Sequence, residues 1–169
     1  MVLWFIGISG AGKTTLANML KEYWRGRGRD IYVMDGDVVR NFYDNDLGYS
    51  AEERRANIKR ILLAAYVLDA NGVDVMVANI SPFEDLRQFA RKKIPGYLQV
   101  YLRKDLQASM AADVKGVYEE HLEKTALVGR EIPFEEPQSS DLVLDVDRMT
   151  PEESMERILE FLGKAGKEL

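Results

Sequence analysis

Gly7, Gly12, Lys13 and Thr14 stand at the spacing G-x-x-x-x-G-K-[ST], with Ser9, Gly10 and Ala11 inside the pattern and Thr15 directly after it. Residues in this order bind polyphosphate. Glycines let successive backbone N–H groups turn inward on phosphate oxygens, and the amino terminus of the following helix adds partial positive charge. The Lys13 ammonium then reaches the β- and γ-phosphates, and the Thr14 hydroxyl binds Mg²⁺. The pattern predicts a nucleoside-triphosphate site.

A second group lies at Asp35-Gly36-Asp37, followed by Arg40. Ligands of parallel sheets bind beyond the carboxyl ends of strands, so aspartates ending a strand are predicted to face the phosphates. A carboxylate there orients an attacking hydroxyl, accepts its proton or binds magnesium through water. The alternative is a turn and a helix cap. Leu47-Gly48-Tyr49-Ser50 then opens a helix on which Arg54, Asn57, Ile61, Ala65 and Leu68 share one face. Arg54 and Asn57 continue that core-facing stripe and are predicted ligand contacts, with surface ion pairing as the alternative. Tyr49 is placed either to stack on a base or to pack in the core. Ser81, in Ala78-Asn79-Ile80-Ser81-Pro82, is predicted to cap a helix, and a substrate contact in addition is left open. Lys115 begins a later helix, where the dipole disfavours a lysine. A phosphate contact explains its placement; a solvated lysine is the alternative.

These groups need positioning elements, and short apolar strands alternate with helical stretches. Strands are predicted near 2–7, 30–34, 73–80, 97–103 and 141–146, and helices near 13–28, 51–70, 82–92, 115–126 and 151–163. The alternation predicts an α/β fold of three layers, with a mainly parallel five-stranded sheet covered on both faces, in a single domain over 1–169. Capping boxes mark three helix starts: Ser50 with Glu53, Ser81 with Glu84, and Thr150 with Glu153. In the last two, proline takes the first helical position. The irregular stretch at 127–140 is a candidate lid, with a plain surface loop as the alternative.

The chain has 169 residues, 28 acidic and 23 basic, for a formal charge of −5. No basic field favours nucleic acid. Arg25, Arg27 and Arg29 read as a solvated helix end. There is no cysteine, so disulfides are excluded, and His121 is the only histidine, which rules out paired-histidine metal sites and a Ser-His-Asp triad. The apolar runs at 61–68 and 73–77 are too short to cross a bilayer, and the apolar start lacks the basic leader of a signal peptide. A cytoplasmic protein without a membrane partner is expected.

Taken together, G-I-S-G-A-G-K-T-T, D-G-D-V-V-R, L-G-Y-S-A-E-E-R-R-A-N-I-K-R-I, A-N-I-S-P-F and V-K-G-V-Y, in this order, resemble the adenylylsulfate (APS) kinase family over nearly the whole chain. The resemblance implies transfer of the γ-phosphoryl group of MgATP to the 3′-hydroxyl of adenylylsulfate, in a homodimer. It implies that Asp37 positions or deprotonates that hydroxyl and that Arg40, Arg54 and Asn57 hold the phosphosulfate or ribose. Tyr49 would stack on the base, Ile80 and Ser81 would line the pocket, and Lys115 would contact the transferring phosphates. Three departures stand out. Val38 replaces the asparagine that usually follows D-G-D. Ala112-Asp113-Val114 precedes Lys115-Gly116 where Arg-Asp-Pro is usual. Leu127-Val128-Gly129-Arg130-Glu131 replaces Phe-Thr-Gly-Ile-Asp, so the second aromatic of the base sandwich is missing. Loss of one stacking face costs on the order of 1–3 kcal/mol of base binding. A neighbouring acceptor, cytidine diphosphoramidate, therefore stays open, as does a regulatory module that binds ATP without turnover. Arg130 is a candidate replacement for the missing arginine.

Overall fold

The computed structural model describes residues 1–105, 128 and 132–166. Within them the chain runs β1 (Val2–Ile6), α1 (Lys13–Arg25), β2 (Tyr32–Asp35), α2 (Gly36–Phe42), α3 (Ala51–Ala70), β3 (Val75–Ala78), α4 (Glu84–Lys93), β4 (Tyr97–Arg103), β5 (Leu142–Asp145) and α5 (Pro151–Lys164). All five residues of β1 are apolar and buried, as a strand covered on both faces requires. Its alternation sends Val2, Trp4 and Ile6 to one face and Leu3 and Phe5 to the other. The strands are all parallel, in the order β2-β3-β1-β4-β5. On one face Leu16, Leu20 and Trp24 of α1 and Ile158 and Leu162 of α5 cover Leu3 and Phe5. On the other, Ile58, Ile61 and Ala65 of α3 and Leu86 and Ala90 of α4 cover Trp4, Ile6 and Val77. This is the expected three-layer α/β arrangement.

The chain leaves β1 toward α1 on one face and β3 toward α4 on the other, so a crevice opens between their carboxyl ends. No described helix is long and apolar enough to cross a membrane.

Two expected capping boxes are present, at Ser50 with Glu53 and Thr150 with Glu153, and they set the starts of α3 and α5. The third is not. α4 begins at Glu84, its N-cap is Phe83, and Pro82 lies outside the helix. Ser81 has φ 48° and its hydroxyl is engaged elsewhere, accepting from Trp4 Nε1 at 2.9 Å and donating to Asn79 Oδ1 at 2.9 Å. The capping is supplied from a distance: Glu84 N–H donates to the Glu135 carboxylate at 2.6 Å. The short α2 went unforeseen; the Asp35 side chain caps it by accepting from Asp37 N–H at 3.0 Å. α1 stops at Arg25 because Gly28, at φ 79°, lets Arg29 N–H return to the Trp24 carbonyl. The helix expected at 115–126 lies outside the described residues. Within 132–140 the chain is irregular, as expected. It is pinned where Glu135 N–H donates to Pro82 O, Arg87 donates to Ser81 O and Glu135 O, and Phe134 stacks on Tyr101.

Candidate active site

Gly7 leaves β1 at φ 145°, and a Cβ on it would lie 2.6 Å from the Leu102 carbonyl oxygen of β4. Glycine is what allows the loop to run so close to the neighbouring strand. The loop then folds around Lys13, whose Nζ donates to Gly7 O at 3.0 Å and Ile8 O at 2.7 Å. Burial pulls the Lys13 pKa down to about 8; Asp35 and Asp37 oppose the fall and Lys104 adds to it. Neutral carbonyls compensate this ammonium poorly, and a phosphate oxygen would compensate it well.

At the next residue, Thr14 Oγ1 donates to Asp35 Oδ2 at 2.7 Å. Asp35 is therefore both a helix cap and a neighbour of the phosphate loop, which joins the two readings of Asp35-Gly36-Asp37. Asp37 is exposed at the cavity edge, and its charge favours the protonated forms of both Lys13 and Arg54. Gly36 is hemmed in: a Cβ there would collide with Asn79 Nδ2, while its carbonyl accepts from Asn57 Nδ2 at 3.3 Å. Asn57 is buried, and its Oδ1 has no hydrogen-bond partner among the described residues. An unpaired buried carbonyl costs roughly 1–3 kcal/mol, which a hydroxyl donor from a ligand would offset.

The last turn of α2 and the start of α3 together supply the cationic wall. Arg54 Nε donates to Tyr49 O at 2.9 Å, and Arg40 donates to Leu47 O at 2.9 Å and Gly48 O at 2.7 Å. Both guanidinium groups lie against the Tyr49 ring, at 4.4 Å for Arg40 and 5.1 Å for Arg54. Burial and the neighbouring Arg40 lower the Arg54 pKa, so the pair is set to receive anionic groups. A cavity of about 570 Å³ joins this wall to the phosphate loop. Ser9, Gly10, Gly12, Lys13, Thr14 and Thr15 form one side, and Asp35, Asp37, Arg40, Tyr49, Arg54, Asn57 and Ile80 the other.

The family model for adenylylsulphate kinase matches residues 1–145. The chain belongs to the adenylylsulphate kinase family. The adenylyl-sulfate kinase of Halothermothrix orenii is 36% identical over 98% of this chain and 91% of its own length. A probable bifunctional SAT/APS kinase of Sorangium cellulosum is 38% identical over 98% of this chain, which spans only 29% of that relative. Among solved structures, the Mycobacterium tuberculosis APS kinase CysC in complex with AMPPNP and APS is 30% identical, has a TM-score of 0.84, and 96% of each chain is covered. A hexameric APS kinase from Thiobacillus denitrificans is 25% identical with a TM-score of 0.72, over 98% of this chain and 29% of that one. The protein is thus a kinase of the phosphate-loop class.

In this adenylylsulphate kinase family member, three expected site residues fall off the large cavity. Gly7 lies behind the loop, against Leu102. Ala11 lines a smaller cavity of about 230 Å³ on the flank of the loop. Ser81 is buried with its hydroxyl bound to Trp4 and Asn79, so its neighbours Ile80 and Pro82 take the cavity wall instead. Lys115, Leu127 and Arg130 lie outside the described residues. Gly36, Ile58, Asn79, Pro82 and Val128 also line the cavity and escaped the sequence reading. Val128 reaches it because it bridges Ile132 and is buried in the core. No cluster of three metal-binding His, Asp or Glu side chains occurs among the described residues. The Thr14 hydroxyl and Asp35 carboxylate are hard oxygen donors that fit Mg²⁺ held mainly by phosphates and water.

Proposed function

We propose that this kinase transfers the γ-phosphoryl group of MgATP to the 3′-hydroxyl of adenylylsulfate, giving 3′-phosphoadenylylsulfate. The observation that carries the reading is the single cavity shared by Lys13, Asp37, Arg54 and Asn57. In it Lys13, Ser9 and the loop amides hold the β- and γ-phosphates, while Arg40 and Arg54 hold the anionic group of the acceptor. Asn57 and Asp37 take the sugar: Asn57 Oδ1 accepts from a hydroxyl, and Asp37 orients the 3′-hydroxyl and accepts its proton. Thr14, with Asp35 behind it, would hold Mg²⁺, which would supply charge neutralisation on the transferring phosphate. Catalysis is then positioning and charge stabilisation at a largely dissociative transition state. Lys115 is assigned to the same phosphates, and 127–140 to a lid over the acceptor.

Recognition of the acceptor base rests on the Tyr49 ring and the apolar wall of Ile58, Ile80, Pro82 and Val128. Leu127 in place of an aromatic supports a second acceptor, the smaller pyrimidine of cytidine diphosphoramidate. ATP offered with adenylylsulfate, cytidine diphosphoramidate and plain nucleotides in parallel, with the product identified by mass, tests both. Adenylylsulfate is the expected acceptor. Transfer to the cytidine compound alone would move the enzyme to the second reading, and ATP binding without transfer to any of them would make it a regulatory module.

The single domain over 1–169 is proposed to act in the cytoplasm as a homodimer. The outer face of α3 supports the dimer: Leu63 is 65% exposed and Val67 49%, on a helix whose opposite face already fills the core. Light scattering at micromolar concentration tests it, and a monomer mass would remove it.

A further inference from the structure

Lys104 follows directly on β4, whose carboxyl end abuts the phosphate loop because Gly7 has no side chain to hold Leu102 away. Its Nζ donates to Gly10 O at 3.1 Å, across 94 residues of chain. Lys13 rests on the carbonyls of Gly7 and Ile8 in the same loop. Two ammonium groups therefore lean on one turn of backbone, close enough for the charge of Lys104 to oppose protonation of Lys13. Lys104 makes no ion pair among the described residues, and the nearby Asp147 carboxylate accepts from Asp105 N–H at 2.7 Å. Half-buried, Lys104 lines the smaller cavity with Gly10, Gly12 and Thr15, on the flank away from Asp37 and Arg54.

A carbonyl oxygen is a weak counterpart for an ammonium. Bonds from a cation to an anionic oxygen are roughly twice as strong as neutral ones, and an anion between two like charges lowers the energy of both. We propose that Lys104 is a second cationic contact of the bound triphosphate, its ammonium passing from the Gly10 carbonyl to a phosphate oxygen on the side of the smaller cavity. The assignment rests on the triphosphate reading of the loop and deepens it. The contact is to phosphate, so the triphosphate chain without a nucleoside reports it.

The test is calorimetric titration of inorganic tripolyphosphate, with Mg²⁺, into the wild-type protein, Lys104→Met and Lys104→Arg. Lys104→Met keeps most of the side-chain volume and is expected to weaken binding about tenfold, while Lys104→Arg stays within about threefold. The KM for ATP should rise by a similar factor in Lys104→Met, with the KM for the acceptor and the melting temperature of the nucleotide-free protein unchanged. Wild-type affinity for tripolyphosphate in Lys104→Met overturns the proposal. So does a loss that Lys104→Arg fails to restore and that comes with a lowered melting temperature, which marks a structural role. If the wild-type protein binds neither tripolyphosphate nor ATP, the phosphate-loop reading falls and this assignment with it.

Discussion

Thr14 Oγ1 donates to Asp35 Oδ2 at 2.7 Å, joining the first turn of α1 to the end of β2 across the mouth of the phosphate loop. Thr14→Val keeps the shape of that side chain and removes its oxygen. The Mg²⁺ concentration giving half-maximal rate should rise, and kcat/KM should fall about hundredfold, roughly 2.7 kcal/mol, with the acceptor KM little changed. A variant with the Mg²⁺ dependence of the wild type would show that Thr14 does not ligate the metal.

Asp37 sits at the cavity edge with its charge felt by Lys13 and Arg54. Asp37→Ala should lower kcat by about 10²–10⁴, the range of a lost general base, while ATP affinity stays within a few-fold. Stopped-flow transfer rates and ATP titration measure the two separately. Collapse of ATP affinity would instead assign Asp37 to the metal site or to folding.

Lys13, with a pKa of about 8 in the nucleotide-free protein, must carry its proton to meet a phosphate. Affinity for MgATP should be flat below pH 8 and weaken by up to about tenfold per pH unit above it, with one proton taken up on binding in that range. Titration in buffers of different ionisation enthalpy measures that proton. The stability of the nucleotide-free protein moves the other way. Unfolded, Lys13 holds its proton up to about pH 10.5, so between 8 and 10.5 the unfolded state binds more protons and this group adds stability as pH rises. Binding without proton uptake near pH 8.5 would contradict both.

Gly7→Ala would drive a methyl group to 2.6 Å from the Leu102 carbonyl oxygen, at φ 145° where side chains are strained. The Leu102 backbone, with the Ala11 Cβ at 3.4 Å, leaves little room to yield. A loss of roughly 1–3 kcal/mol of stability is expected, with weaker ATP binding because the loop shifts off β4. Denaturant unfolding measures the first and nucleotide titration the second. A variant as stable as the wild type would mean that β1 and β4 part easily at their carboxyl ends.

Local rules carried the sequence reading furthest. The phosphate loop, the starts of α3 and α5 and the stripe of Arg54, Asn57, Ile61 and Ala65 were legible, because each depends on contacts within a turn or two of chain. α2 was not legible: it is seven residues long, begins with glycine and is held by the Asp35 cap and by packing on α3. Ser81 satisfied the local rule for a cap and still did not become one, since Trp4 Nε1, 77 residues away in sequence, donates to its hydroxyl.

The sequence by itself determined that a triphosphate cradle lies between a buried strand and a helix, and that aspartate, arginine and asparagine follow at spacings that turn them inward. Backbone geometry and side-chain chemistry over a few residues suffice for that. Only the tertiary structure decided which of these groups share a cavity, that Glu135 rather than Ser81 serves the start of α4, and that Lys104 stands over Gly10. The order β2-β3-β1-β4-β5 brings the end of β4 beside the loop after β1, and the pairing of distant strands has no local signature in either segment.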